Sequence, residues 1–250
     1  MHPSFTEPEA ALRAVGAEVT RVQRPRPNFT LDPAAIPDDA ELVVVGNPNN
    51  PTGNLDPAGR LLELVRPNRL LVVDESFMEF VPNERESLAG RRDLPGLVVV
   101  RSLTKLWSLA GVRAGYLLAD AALVARLAGQ RQPWSVNAPA CAALELCLSD
   151  QRTQQGLAER VRRARADLAS RLQRIPGLEL WPSEANFLLL RVPDGPDVVH
   201  RLRAQGIAVR PARSFPGLGD DHLRIAVRRD AENRRLVQAL AESLAAGAQH

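Results

Sequence analysis

Apolar positions follow two rhythms along this chain. Three continuous runs, "ELVVVG" (41–46), "RLLVVDE" (69–75) and "GLVVVRS" (96–102), are rich in Val and Leu. Unbroken apolar runs of this length suit strands covered on both faces, as in a parallel sheet. Between the first two, "DPAGRLLELVR" (56–66) is amphipathic with helical spacing. This β-α-β order predicts a mainly parallel sheet packed against helices. "EPEAALRAVGAEVTRV" (7–22) predicts a helix stopped at Gly16 and then a further strand, and "ADAALVARLAG" (119–129) predicts another helix.

From Val136 to Arg174 the pattern is helical, and the arginines of "GLAERVRRARADLASRLQR" fall on a solvated face. After Pro176 come "LELWPS", "NFLLLRV", a helix over 195–205, "GIAVRP", "HLRIAV" and a closing helix from Asp230 to Ala246. The fold class expected is therefore α/β, with a larger, mainly parallel-sheet domain over 1–145. A smaller C-terminal α+β domain over 146–250 includes the interdomain helix. There is no internal repeat and no low-complexity segment.

Composition narrows the function without naming it. The chain has 250 residues and a net charge of only +3. Aromatics are 4% and no basic block is interleaved with them, which argues against nucleic-acid binding. Cys141 and Cys147 share one predicted helix with no partnering histidine motif, so neither a metal site nor a disulfide framework is expected. No apolar run is long enough to span a bilayer and no signal peptide opens the chain, so no membrane partner and a cytoplasmic location are expected.

One position departs from the composition. Of 32 Lys+Arg residues, only Lys105 is lysine. Lysine can lose its proton and attack a carbonyl, whereas guanidinium stays charged at any working pH. A chance survivor of arginine-rich codon usage is the bland alternative. The surroundings favour chemistry. In an open parallel sheet, ligands bind beyond the carboxyl ends of the strands. "NPNNPTG" (47–53) follows the first apolar run, Asp74 ends the second, and Lys105 follows the third. Each alone reads as a turn residue or a cap. Together, an amide, a carboxylate and an amine suit pyridoxal 5'-phosphate, with the carboxylate holding the ring nitrogen protonated.

"NPNNPTG", "VVDESFMEF" and "RSLTKLWSLAGVRAGY" resemble, in order and spacing, the signatures of fold-type I pyridoxal-phosphate-dependent enzymes of the aminotransferase class I/II superfamily. "RQPWSVNAPA", "SEANFLLLR" and "GIAVRPARSFPGLGDDHLRIAVR" extend the likeness along nearly the whole chain. The branch resembled contains histidinol-phosphate aminotransferase and the threonine-phosphate decarboxylase of cobalamin synthesis. The resemblance implies catalytic roles for Lys105, the Schiff-base lysine, and Asp74, the ring-nitrogen partner. It implies cofactor contacts by Phe5 (stacking on the ring), Asn50, Phe77, Ser102, Thr104 and Arg113. Substrate contacts are implied for Arg224, which matches the carboxylate-gripping arginine, and for Asn137 and Arg213. Trp107 and Trp134 read as packing residues. A homodimer and a small phosphorylated amino-acid-like substrate are also implied.

Three departures accompany the likeness. Phe77 stands where aminotransferases of the superfamily usually carry tyrosine, which removes one hydroxyl and leans toward the decarboxylases, as do "RSLTK" and "PWSVN". Pro8 stands where the family tends to have an aromatic. The matching region also begins after an N-terminal arm, a first helix and a glycine-containing loop that in the family helps to hold the cofactor phosphate. The sheet domain is thus expected to be N-terminally incomplete and cofactor binding by this chain weak or absent. The activity expected is decarboxylation of L-threonine O-3-phosphate to aminopropanol phosphate and CO2. Transamination of histidinol phosphate or an aromatic amino acid is the alternative, and an inactive truncated remnant is the third reading.

Overall fold

In the computed structural model, residues 1–247 are described. The elements are α1 (Glu7–Ala14), β1 (Leu42–Gly46), α2 (Ala58–Leu62), β2 (Leu70–Asp74), β3 (Leu97–Ser102), β4 (Gly115–Leu118), α3 (Ala121–Gly129), α4 (Ala138–Ser149) and α5 (Gln151–Leu172). They continue as β5 (Glu179–Leu180), β6 (Phe187–Arg191), α6 (Gly195–Ala204), β7 (Arg210–Pro211), β8 (His222–Ala226) and α7 (Asp230–Gly247). Contacts divide the chain into two compact units. The first holds Met1, Arg24–Asn49 and Leu55–Glu159; the second holds His2–Gln23, Asn50–Asn54 and the chain from Arg160 onward.

The sheet of the first unit has the order β1-β2-β3-β4. β1 pairs with β2 and β2 with β3 in parallel, as the continuous Val/Leu runs predict; β4 pairs antiparallel with β3. Val43, Val45, Leu71, Val73, Leu97 and Val99 are buried. β4, "GYLL", is too short to show a strand rhythm, and its residues alternate between exposed and half-buried. Around the first strand, Arg24 and Asp56 form a buried ion pair at 2.6 Å. Asp56 also accepts from the Leu31 amide, and its own amide donates to Asn47 Oδ1 at 2.8 Å. Removing one partner would leave an uncompensated buried charge.

The second unit has an antiparallel sheet in the order β5-β6-β8-β7. Its core joins Leu188 and Leu190 of β6, Leu223 and Ile225 of β8, Leu168 and Leu172 of α5, Leu202 of α6 and Leu240 of α7. α7 is fixed at its start by Asn233, whose side chain accepts from the Arg228 amide and donates to the Arg228 carbonyl, both at 2.9 Å.

Four sequence expectations are corrected. The arginines of the long helix are not all solvated: Arg165 is buried and bonds the Ala185 carbonyl and Glu184. Residues 17–22 form no strand; the only pairing nearby is an isolated parallel bridge between His2 and Gln23. Pro25 and Pro27 follow at once, and proline cannot donate to a ladder. The helix expected over 56–66 is regular only in α2, and Leu64 and Val65 continue it with tighter three-residue turns before Pro67. Trp134 does not pack: it is 98% exposed.

Replacing fully buried Leu190 with alanine should cost about 2–5 kcal/mol, the transfer and cavity loss of a core leucine. Denaturant unfolding measures it; a loss below about 1 kcal/mol would mean that the second unit's core collapses around the gap.

Candidate functional site

The first unit carries Asp74, Phe77, Ser102, Thr104, Lys105, Arg113 and Asn137. Parallel register sets Gly46 opposite Asp74 and Asp74 opposite Val100, so the strands deliver their last residues to one edge. Asp74 Oδ1 accepts from the Ser76 amide at 2.9 Å and from the Ser76 hydroxyl. Among the described residues no group donates to the other oxygen, which leaves it available to a ring N–H. Phe77 is buried, and the Lys105 ammonium lies over its ring, 5.6 Å from the centroid. Lys105 is otherwise exposed on a turn closed by the Ser108 amide bonding the Lys105 carbonyl at 3.3 Å.

Ser102 and Thr104 hydroxyls share a 2.7 Å hydrogen bond. Exposed Arg113 has positive φ and donates from Nη1 to the Ala110 carbonyl at 3.0 Å, leaving most of its guanidinium donors outward. Two hydroxyls and a planar cation are the donor types that a phosphate dianion takes. This donor set fits pyridoxal 5'-phosphate: a reachable amine, a carboxylate with an open oxygen, an aromatic face and phosphate donors. Asn137 is already engaged. It caps α4 by accepting from the Ala140 amide at 2.8 Å, and its amide donates to the Val112 carbonyl at 3.1 Å.

The second unit carries Phe5, Asn50, Arg213 and Arg224. Arg224 Nη1 donates to Asn50 Oδ1 at 2.5 Å across 174 residues of sequence. Its guanidinium lies over the Phe187 ring, 4.9 Å from the centroid. Burial lowers its pKa from the ordinary arginine value, and neighbouring Arg210 pushes the same way. Arg210 is a residue that sequence reasoning missed. The β7–β8 register sets it directly opposite Arg224, a like-charge pair that costs free energy until an anion meets it. Among the described residues neither arginine has a carboxylate partner. Arg213 is exposed and 3.6 Å from Asp220, an ordinary surface pair.

The Asn50 loop rests on supports that the sequence does not announce. Gly53 has φ +73, and its carbonyl accepts from the Glu184 amide at 2.8 Å. Arg165 holds that neighbour through Glu184 at 2.6 Å and through the Ala185 carbonyl at 2.9 Å. A Cβ at Gly53 would stand 2.1 Å from Ser183 Oγ. Phe5 is 44% exposed, so its ring face is accessible. It precedes α1, which is tied down by Glu9 bonding Arg13, Arg21 and His2.

Two outcomes follow from these supports. Gly53→Ala should cost about 1–3 kcal/mol in thermal unfolding. Adding Ser183→Gly should restore only part of the steric share, because the Cα of residue 183 would still lie 3.0 Å from the added Cβ, and none of the left-handed backbone share; full tolerance of Gly53→Ala would mean that the loop does not need this approach. Hydrogen bonds from Arg21 and Arg13 hold the Glu9 carboxyl at about 2 rather than 4.5. A depressed carboxyl pKa stabilises fully above the ordinary value and is lost as pH falls through the folded one. Protection factors of the α1 amides, their exchange rates divided into the intrinsic rates at each pH, should therefore fall between about pH 4.5 and 2; protection that does not change with pH would show the cluster contributes nothing.

The sequence matches the family described as aminotransferase class I and II over residues 1–240. A histidinol-phosphate aminotransferase of Mycobacterium tuberculosis is 44% identical over 242 residues, covering 96% of this chain and 65% of that protein. A threonine-phosphate decarboxylase of Salmonella typhimurium is 37% identical over 249 residues, covering 95% of this chain and 68% of that protein. The crystal structure of the histidinol-phosphate aminotransferase from Clostridium acetobutylicum superposes with a TM-score of 0.91 at 26% identity, covering 96% of this chain and 75% of that one. The chain thus spans about two thirds of the length of curated relatives that it matches almost throughout. It belongs to the aminotransferase class I and II family, whose members depend on pyridoxal 5'-phosphate.

Proposed function

We propose that this chain binds pyridoxal 5'-phosphate and acts on a small amino compound bearing both a carboxylate and a phosphate. The observation that carries this reading is that Arg224 and Arg210 stand opposite each other in the register of β7 and β8, with no carboxylate partner for either among the described residues. A substrate with two anionic groups would offset their repulsion and use both planar forks. L-Threonine O-3-phosphate has both groups in one molecule. Its decarboxylation to aminopropanol phosphate and CO2, a step of cobalamin assembly, is the specific reaction favoured. Phe77, with no hydroxyl to offer, agrees with that choice.

In this reading, Lys105 would hold the cofactor through its carbonyl carbon and would move a proton at the substrate's α-carbon. Asp74 keeps a proton on the ring nitrogen through its open oxygen. Asn50 serves the cofactor's phenolic oxygen, and Phe5 covers a ring face. Ser102, Thr104 and Arg113 take the phosphate. When bound, the cofactor supplies an electron sink for the pair left on the α-carbon as CO2 departs. Arg224 grips the substrate carboxylate and Arg210 its phosphate, and the working form is a cytoplasmic homodimer. The 44% identity to a histidinol-phosphate aminotransferase favours a second reading, transamination of histidinol phosphate. That substrate has only one anionic group, so it would use both arginines less fully.

The purified chain with excess pyridoxal 5'-phosphate should develop a yellow absorbance band that Lys105→Ala lacks. Borohydride should then fix the cofactor's mass on Lys105. No band and no added mass would overturn the reading. With threonine phosphate, CO2 release without any 2-oxoacid marks the decarboxylase; dependence on 2-oxoglutarate marks the aminotransferase. Arg210→Ala should weaken apparent substrate affinity by about ten- to a hundredfold, the worth of a hydrogen bond to a charged group.

A further inference from the structure

We infer that Glu79 is a positioning residue that sets the place of Lys105 by bonding the indole of Trp107, so that the turn bearing the amine is tied to the segment bearing Asp74. The inference deepens the reading of Lys105 as the reactive amine and rests on it only in part. Its geometry belongs to the first unit alone.

Glu79 lies five residues beyond Asp74, in the short helical turn Met78–Phe80. It is only 7% exposed, an unusual place for a carboxyl group. Trp107 Nε1 donates to its Oε1 at 3.1 Å, while Oε2 is buried with no hydrogen-bond partner among the described residues. A bare buried oxygen costs more on a carboxylate than on a neutral carboxyl. Burial raises its pKa, against the pull of the Trp107 hydrogen bond; Glu84 adds to the rise and Arg101 opposes it. Tyr116 on β4 and Cys147 on α4 also lie within range of its charge.

Trp107 sits two residues after Lys105 and packs with Leu109, Val112 and the apolar cluster of Leu103, Ala114, Ala140 and Cys147. Packing fixes the depth of the indole, but a hydrogen bond is needed to fix its rotation. The 74–80 segment therefore touches the Lys105 turn twice. Phe77 lies under the ammonium and Glu79 holds the indole. Two contacts from one rigid segment constrain both position and direction, which a single cation–π contact does not. A buried acid whose one hydrogen bond goes to this turn has a purpose that general stability alone does not supply.

The test exploits the single lysine. An amine-reactive acylating probe labels only Lys105 and the N-terminal amine, and the N-terminus serves as internal standard. Glu79→Leu and Trp107→Phe each remove the bond, whereas Glu79→Gln keeps an acceptor and no charge. Expected is a rise of about three- to tenfold in the Lys105-to-N-terminus labelling ratio for the first two, the range that one net hydrogen bond allows, and a wild-type ratio for Glu79→Gln. Unchanged ratios in Glu79→Leu and Trp107→Phe, even with lowered melting temperatures, would overturn the inference and leave Glu79 a structural residue. Should one of the pair fail to fold, the other decides. Cofactor trapping run alongside separates the two ideas: a labelling change without cofactor capture sinks the proposed function and spares the positioning role. Capture with unchanged labelling does the reverse.

Discussion

The constraint on which the first unit depends is the shared register of its three parallel strands. Gly46, Asp74 and Val100 line up in the register that buries Val43, Val45, Leu71, Val73, Leu97 and Val99 on one face of the sheet. The ladder continues past the strands. The Asn47 amide bonds the Asp74 carbonyl, and the Glu75 amide bonds the Val100 carbonyl, both at 2.9 Å. The polar residues at the strand ends inherit their places from burial behind them. Chemistry here is a consequence of packing: the core decides where Asp74 stands before any ligand does.

That dependence explains what the sequence discloses. A continuous Val/Leu run marks a strand even though only one face of β1 and β2 is fully buried and the other is half-buried to exposed, so β1, β2 and β3 and the polar residues after them are legible. β6 is legible for the same reason, its Phe187, Leu188, Leu189 and Leu190 all being buried. What escapes is whatever rests on pairing between distant segments. Asn50 meets Arg224 across 174 positions, and nothing local to either residue signals it. Arg210 faces Arg224 only through the register of a strand of two residues. Nor does a linear reading signal that residues 2–23 and 50–54 pack with the C-terminal half of the chain. The misread stretch 17–22 has apolar alternation of its own, but the prolines behind it deny it a partner. Trp134 misled because a large aromatic is usually inside, and here it stands almost fully in solvent.

The arginines carry the final step. Choosing arginine elsewhere is more than codon habit, because several of these side chains are buried struts that need a fork. Arg69 is buried and donates to four backbone carbonyls, those of Pro37, Asp38, Ala40 and Leu64. Arg101 reaches Glu75, Glu84 and Ser87 from one nitrogen. Arg24 joins Asp56 to the Phe29 carbonyl. Arg165 joins Glu184 to the Ala185 carbonyl. An ammonium has three donors on one point and cannot span such separated acceptors. Lysine would fail at Arg69 and Arg165, whose named acceptors are reached from different nitrogens of one fork. At position 105 the demand is reversed: the side chain bridges nothing, its nitrogen lies over an aromatic face, and its remaining capacity is the one arginine lacks, a nitrogen that can shed its proton and form a bond to carbon.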